Sequence, residues 1–137
     1  RYQYVATLDA RTSSICQRLD GQLFRYDQGP VPPQHFNCRS TTVPVIDDDD
    51  LARAFPNTRP SATGRVPQNT NYATWLKDNP DLQDKVLGKK KRYFNYLMSP
   101  KRGNKQLNAT NALKKIIRED GTELTLKELA DKYKDAN

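Results

Sequence analysis

Cys16, His35 and Cys38 are the chain's entire complement of cysteine and histidine. They are therefore its only thiol and imidazole ligands. In His35-Phe-Asn-Cys38 two residues separate the donors, a spacing that lets both side chains reach one ion, whereas Cys16 has to join them through the fold. A structural zinc takes four ligands, so a fourth would come from water, a partner or a carboxylate such as Asp20. The same residues also fit a plainer reading, in which both cysteines are small buried hydrophobes and His35 hydrogen-bonds its own loop. A third reading pairs His35 with a cysteine thiolate as nucleophile and base, although nothing in the sequence orients the base. There is no Gly-rich phosphate cradle, serine elbow or HExxH motif. A nuclease built on His35, Arg39 and nearby aspartates is the enzymatic alternative, and the single histidine excludes paired-histidine mechanisms.

A second constellation is basic. Lys89, Lys90, Lys91 and Arg92 precede Tyr93 and Phe94, and Lys101 and Arg102 follow. Point charges beside stacking aromatics suit contact with a nucleic-acid backbone or an acidic partner. The competing reading is a solvated basic face over buried aromatics, because Tyr93, Tyr96 and Leu97 make an acceptable core stripe. Residues 1–50 hold five Lys/Arg against seven Asp/Glu, so the positive balance behind the net charge of +7 lies in the rest, with 18 against 9. That asymmetry favours polyanionic partners such as double-stranded DNA for the C-terminal half. The carboxylate run Asp47 to Asp50 is read as solvated, since like charges repel.

To position these residues the sequence offers an α+β organisation. Tyr2, Tyr4, Ala6 and Leu8 alternate with more polar positions as a strand does. Thr12, Ser13 or Ser14 is placed to cap a short helix bearing Ile15 and Leu19, which Gly21 ends. A second strand is expected over residues 22–26, and a third over 41–46, where Pro44 favours an edge. Gly29, Pro30, Pro32 and Pro33 keep the intervening segment irregular. The expected architecture is a small antiparallel sheet with a short helix at 1–50, an extended arm at 51–70 with prolines at 56, 60 and 67, and a helical region at 71–137. In that region Tyr72, Trp75 and Leu76 share a face, Pro80 suits a helix start and Gly88 a stop. Another helix is expected over 108–118, and Thr125-Leu-Lys-Glu128 reads as a capping box opening the last one.

With 35% hydrophobic and 28% charged residues, the chain has little apolar surface to bury, which implies that partner surfaces complete its core. No run approaches the roughly 18 apolar residues of a membrane span, and Arg1 to Leu8 does not form a signal peptide. A soluble chain with reduced thiols is expected. Because a strand pattern is already running at Arg1, upstream sequence is expected as well.

Tyr4-Val-Ala-Thr-Leu-Asp-Ala-Arg-Thr12, Cys16, Leu19-Asp-Gly21, Phe24, Pro32-Pro-Gln-His35-Phe-Asn-Cys-Arg39 and Val43-Pro-Val45 together resemble the signature of the phage Mu F-like minor head proteins. Tyr72 to Leu76, Asp84 to Gly88 and Leu124 to Leu129 resemble the C-terminal extension of many members. The chain would then be the C-terminal part of a longer head-morphogenesis protein. Ser13 and Ser40 stand where members often carry cysteine, so only Cys16, His35 and Cys38 carry over as metal ligands. The resemblance assigns Asp20-Gly21 and Pro33 to turn and loop geometry. It implies a non-enzymatic, low-copy protein of the phage head, assembled in the host cytoplasm. Its implied partners are the portal protein and major capsid or scaffold proteins, with double-stranded DNA as a further candidate and no membrane. It implies a role in assembly, DNA packaging or DNA delivery; the cofactor expected is none, or else a zinc ion on those three residues. Mu F-like regions also resemble the carrier portion of secreted effectors, which keeps a nuclease or toxin-like enzyme as the alternative.

Overall fold

The computed structural model describes residues 1–35, 37–45, 57–99 and 106–134. The carboxylate run at 47–50, Pro56, Lys101 and Arg102 lie outside these residues.

Strand β1 (Tyr2–Val5) is the centre of a three-stranded antiparallel sheet, flanked by β2 (Leu23–Phe24) and β3 (Thr41–Pro44). Tyr2 lies opposite Phe24 on one side and Pro44 on the other, and Gln3 lies opposite Leu23 and Val43. The two-residue period drives Tyr2, Tyr4, Ala6 and Leu8 inward, each at most 4% exposed. Pro44 sits on an edge strand, where its missing N–H costs no ladder bond. Helix α1 (Ser14–Leu19) follows the turn after β1; it buries Cys16 and Gln17, while Ile15 and Leu19 are half-buried and pack against the cluster of Tyr4, Ala6 and Cys16.

Residues 57–70, within the stretch expected as an arm without a core, form a hairpin of β4 (Thr58–Arg59) and β5 (Val66–Pro67). Composition hid it because its anchor is polar: Arg59 is 7% exposed, and Trp75 Nε1 donates to Thr63 Oγ1 at 3.1 Å. The Ala62 amide donates to the Leu8 carbonyl at 2.8 Å, pinning the hairpin to the end of β1.

Five helices then build the main core: α2 (Tyr72–Asp78), α3 (Pro80–Leu87), α4 (Lys91–Met98) after a 3-10 turn at Gly88–Lys90, α5 (Ala109–Ile116) and α6 (Leu126–Lys132). Asn71 and Asn108 cap α2 and α5, and Thr125 with Glu128 closes the expected capping box on α6. Trp75, Leu76, Phe94, Leu113, Ile116, Ile117 and Leu129 are essentially inaccessible, and Leu8 joins them from the N-terminal part.

The N-terminal and helical parts are stitched by polar bonds as well. Arg18 of α1 donates to the carbonyls of Lys114 (3.1 Å) and Ile117, meeting the orphan acceptors at the end of α5. Ser14 donates to the Gly121 carbonyl, and Tyr72 Oη to the Asp9 carbonyl at 2.6 Å. At Gly121, with φ +89°, an added Cβ would lie 2.4 Å from Ile15 Cβ. Gly121→Ala should therefore lower unfolding stability by at least about 1–3 kcal/mol in urea titration, from left-handed strain plus overlap; an unchanged midpoint would contradict this packing.

Asp20, 4% exposed, is the densest polar junction. Its carboxylate accepts from Ala6 N (2.8 Å), Tyr72 N (2.7 Å), and Arg59 Nη1 and Nη2 (3.1 and 3.2 Å). Arg59 also donates to the carbonyls of Ala6 (2.6 Å) and Thr70 (2.8 Å). Burial pushes the Asp20 carboxyl up, and the Arg59 guanidinium and the two amides oppose that push. Asp20→Asn, which strands a buried guanidinium, should cost about 3–5 kcal/mol of unfolding free energy by denaturant titration.

Candidate metal centre

Two separate parts of the chain bring Cys16, His35 and Cys38 together. Cys16 sits on the inner face of α1, 1% exposed and packed with Tyr4 and Ala6. His35 and Cys38 lie on the irregular segment before β3, where the Cys38 amide donates to the His35 carbonyl at 3.3 Å. Asn37, at φ 60°, supplies the left-handed residue this turn requires, a conformation asparagine tolerates better than most side chains. Tyr2 Oη donates to the Pro30 carbonyl at 2.6 Å and Thr7 Oγ1 to the Arg39 carbonyl at 3.3 Å, tying both ends of the segment to β1 and the turn after it.

Cys16 Sγ is 3.3 Å from His35 Nε2 and 3.7 Å from Cys38 Sγ, and all three ligand atoms lie within 4.8 Å of one another. A disulfide would need about 2.05 Å between the sulfurs; these are two separate thiols. Tyr4 Oη, fully buried, lies 3.3 Å from Cys16 Sγ and 4.0 Å from Cys38 Sγ. Burial and the adjacent Cys16 sulfur hold the Tyr4 phenol well above its usual range, so it remains a protonated donor toward the sulfurs. Partial burial pushes the Cys38 thiol up, but main-chain hydrogen bonds at Gln34 and Ser40 and side-chain bonds to Cys16 and Ser40 outweigh it and bring the thiol down to about 6.

Two hollows adjoin the cluster. One is open, about 760 Å³, lined by Arg11, Ser13, His35, Asn37, Cys38 and Arg39. The other, about 20 Å³, lies among residues that include Ser13, Cys16, His35 and Ser40. Ser13 occupies the N-cap position of α1, yet its side chain makes no capping bond. Its Oγ is buried without a hydrogen-bond partner among the described residues.

The carboxylate weighed as a fourth ligand, Asp20, is saturated by Ala6, Tyr72 and Arg59, so turn geometry is the smaller part of its role. Asp9 is likewise engaged, accepting from Arg39 at 2.6 and 2.8 Å. Sequence reasoning missed Asp20 and Arg59 as a buried pair, because Arg59 stands in a polar stretch that gives no burial signal. It also missed Tyr4 beside the sulfurs, although the inward period of β1 could have revealed it.

The basic constellation is partly consumed by the fold. Lys90 pairs with Glu123 at 3.1 Å and Lys91 with Asp84 at 2.6 Å, while Lys89 and Arg92 are exposed. Tyr93 and Phe94 are buried in the core and not disposed to stack on bases.

The Arg39 hydrogen bonds hold the Asp9 carboxyl at about 2, below its ordinary 3.8. A depressed folded-state value means that the contribution is complete above 3.8 and is lost as pH falls through about 2. Thermal melts should therefore show the wild type losing stability across that window, with a shallower loss in Asp9→Asn; parallel curves would show the pair to be idle.

Comparison with known proteins bears on the N-terminal part above all. A protein of Haemophilus influenzae described only as uncharacterized is 30% identical over 93 residues, covering 64% of this chain and 20% of that protein. The chain thus spans about a fifth of the length of the relative it matches. No solved structure matches. The family described as Phage Mu protein F like protein matches residues 1–43, which contain β1, α1, β2, most of β3 and all three ligands of the cluster.

Proposed function

We propose that this chain is part of a structural minor head protein of a tailed phage, placed at the portal vertex or inner capsid and acting in head assembly, DNA packaging or DNA delivery. The family match over residues 1–43 carries this reading and points to head morphogenesis. Its partners are then the portal protein and the major capsid or scaffold proteins, and its place is the virion head, assembled in the host cytoplasm. No helix among the described residues is long and apolar enough to cross a membrane.

The outer face of the sheet suits docking. Leu23 and Val43 flank Gln3 on that face and are 46% and 36% exposed. Grouped apolar side chains left in water are a feature of interaction surfaces. The exposed cations Lys89 and Arg92, with Lys101 and Arg102 in sequence beyond them, supply a sequence-independent attraction to packaged DNA or acidic partner surfaces. The nuclease alternative has less support, because Asp9 and Asp20 are held by Arg39 and Arg59.

The test is retention of the whole protein on purified portal-containing heads after high-salt washing, which strips nonspecific phosphate contacts. The wild type should remain, and Leu23→Asp with Val43→Asp should fall several-fold in head association while keeping its melting temperature. Wild-type protein that washes off and degrades DNA in solution would replace the structural reading with the nuclease.

A further inference from the structure

The geometry points to a zinc site: we infer that Cys16 Sγ, His35 Nε2 and Cys38 Sγ bind one Zn(II), with a water molecule held by Ser13 Oγ in the fourth position. The inference rests on the cluster's own geometry and stands or falls apart from the role in the phage head.

The first support is spacing. A tetrahedral ion with bonds of about 2.3 Å to sulfur and about 2.0 Å to nitrogen sets sulfurs roughly 3.8 Å apart, and sulfur and nitrogen roughly 3.5 Å apart. Cys16 stands 3.7 Å from the Cys38 sulfur and 3.3 Å from the His35 nitrogen, close to both values. His35 and Cys38 close the triangle within 4.8 Å. Two thiolates and an imidazole form a donor set that selects zinc over calcium or magnesium. Two thiolates also neutralise a divalent cation, so the site needs no acidic residue, in keeping with the prior engagement of Asp9 and Asp20.

The second support is independent of the ligands. Ser13 is placed to cap α1, yet its Oγ is buried, makes no capping bond and has no hydrogen-bond partner among the described residues. A buried hydroxyl left unpaired is destabilising, so its persistence calls for a partner. Ser13 lines the cavity of about 20 Å³ shared with Cys16 and His35, room for one water. A zinc-bound water there would give that hydroxyl its partner and complete the tetrahedron. Tyr4 Oη supplies the outer contact, donating to the Cys16 sulfur as hydrogen-bonded neighbours of metal ligands do.

The experiment uses the whole protein, purified under reducing conditions, stripped of metal, loaded with Zn(II) or with Co(II) as a spectroscopic probe, and gel-filtered. Elemental analysis should return about one zinc per chain, and cobalt should show a thiolate charge-transfer band with the intense visible bands of tetrahedral coordination. Cys38→Ser should lose the metal while keeping its circular dichroism, and Ser13→Cys should strengthen the charge-transfer band and raise affinity about tenfold or more by adding a third thiolate. Absence of retained metal in the wild type, or equal retention after Cys38→Ser, would overturn the site. A Ser13→Cys cobalt spectrum identical to the wild type would overturn the assignment of the fourth position.

Discussion

A carboxylate taken out of water must keep its charge compensated, and Asp20 is where this chain meets that requirement. Desolvating the ion is costly, and one guanidinium alone does not satisfy its oxygens. Asp20 therefore also draws in the Ala6 amide from the end of β1 and the Tyr72 amide at the start of α2. Arg59 arrives from the β4–β5 hairpin and spends its remaining donors on Ala6 and Thr70. Sheet, hairpin and helical region thus converge on a single residue, and moving any one of them would leave a buried polar group unpaired.

The same junction sets the cluster of Cys16, His35 and Cys38. Asp20 is the residue that closes α1, its amide bonded to the Cys16 carbonyl, so anchoring Asp20 fixes the helix that carries Cys16. His35 and Cys38 come from a segment with no ladder of its own. That segment is held by Tyr2 to Pro30, Thr7 to Arg39 and the Arg39–Asp9 pair. Every one of those anchors lies on β1 or just beyond it, so the register of one four-residue strand controls the distance between sulfurs 22 residues apart.

The contrast between the two halves follows from how each spends its charge. In the N-terminal half, charged groups are structural: Asp9, Asp20, Arg18 and Arg59 make bonds between elements. In the helical half the apolar stripes carry the packing, and Lys89 and Arg92 remain on the surface. An association role that uses the exposed apolar face of the sheet and a diffuse basic surface accords with that division.

The sequence by itself determined the locally coded features. Strict alternation from Tyr2 to Leu8 fixed a strand and its buried face, Pro80 and Gly88 bracketed a helix, and Thr125 with Glu128 closed a capping box, because each depends on neighbours within a few residues. Pro44 on an edge strand was legible for the same reason, and so was the pairing of His35 with Cys38 across two residues. Tertiary structure alone decided the rest. The partnership of Asp20 with Arg59 spans 39 residues, Arg18 reaches α5 across 96, and Cys16 meets Cys38 across 22. Such contacts leave no periodic trace. Arg59 in a proline-bearing polar stretch looks solvated until the fold desolvates it, and whether Ser13 caps a helix or faces Cys16, His35 and Cys38 depends on where a distant loop is brought to rest.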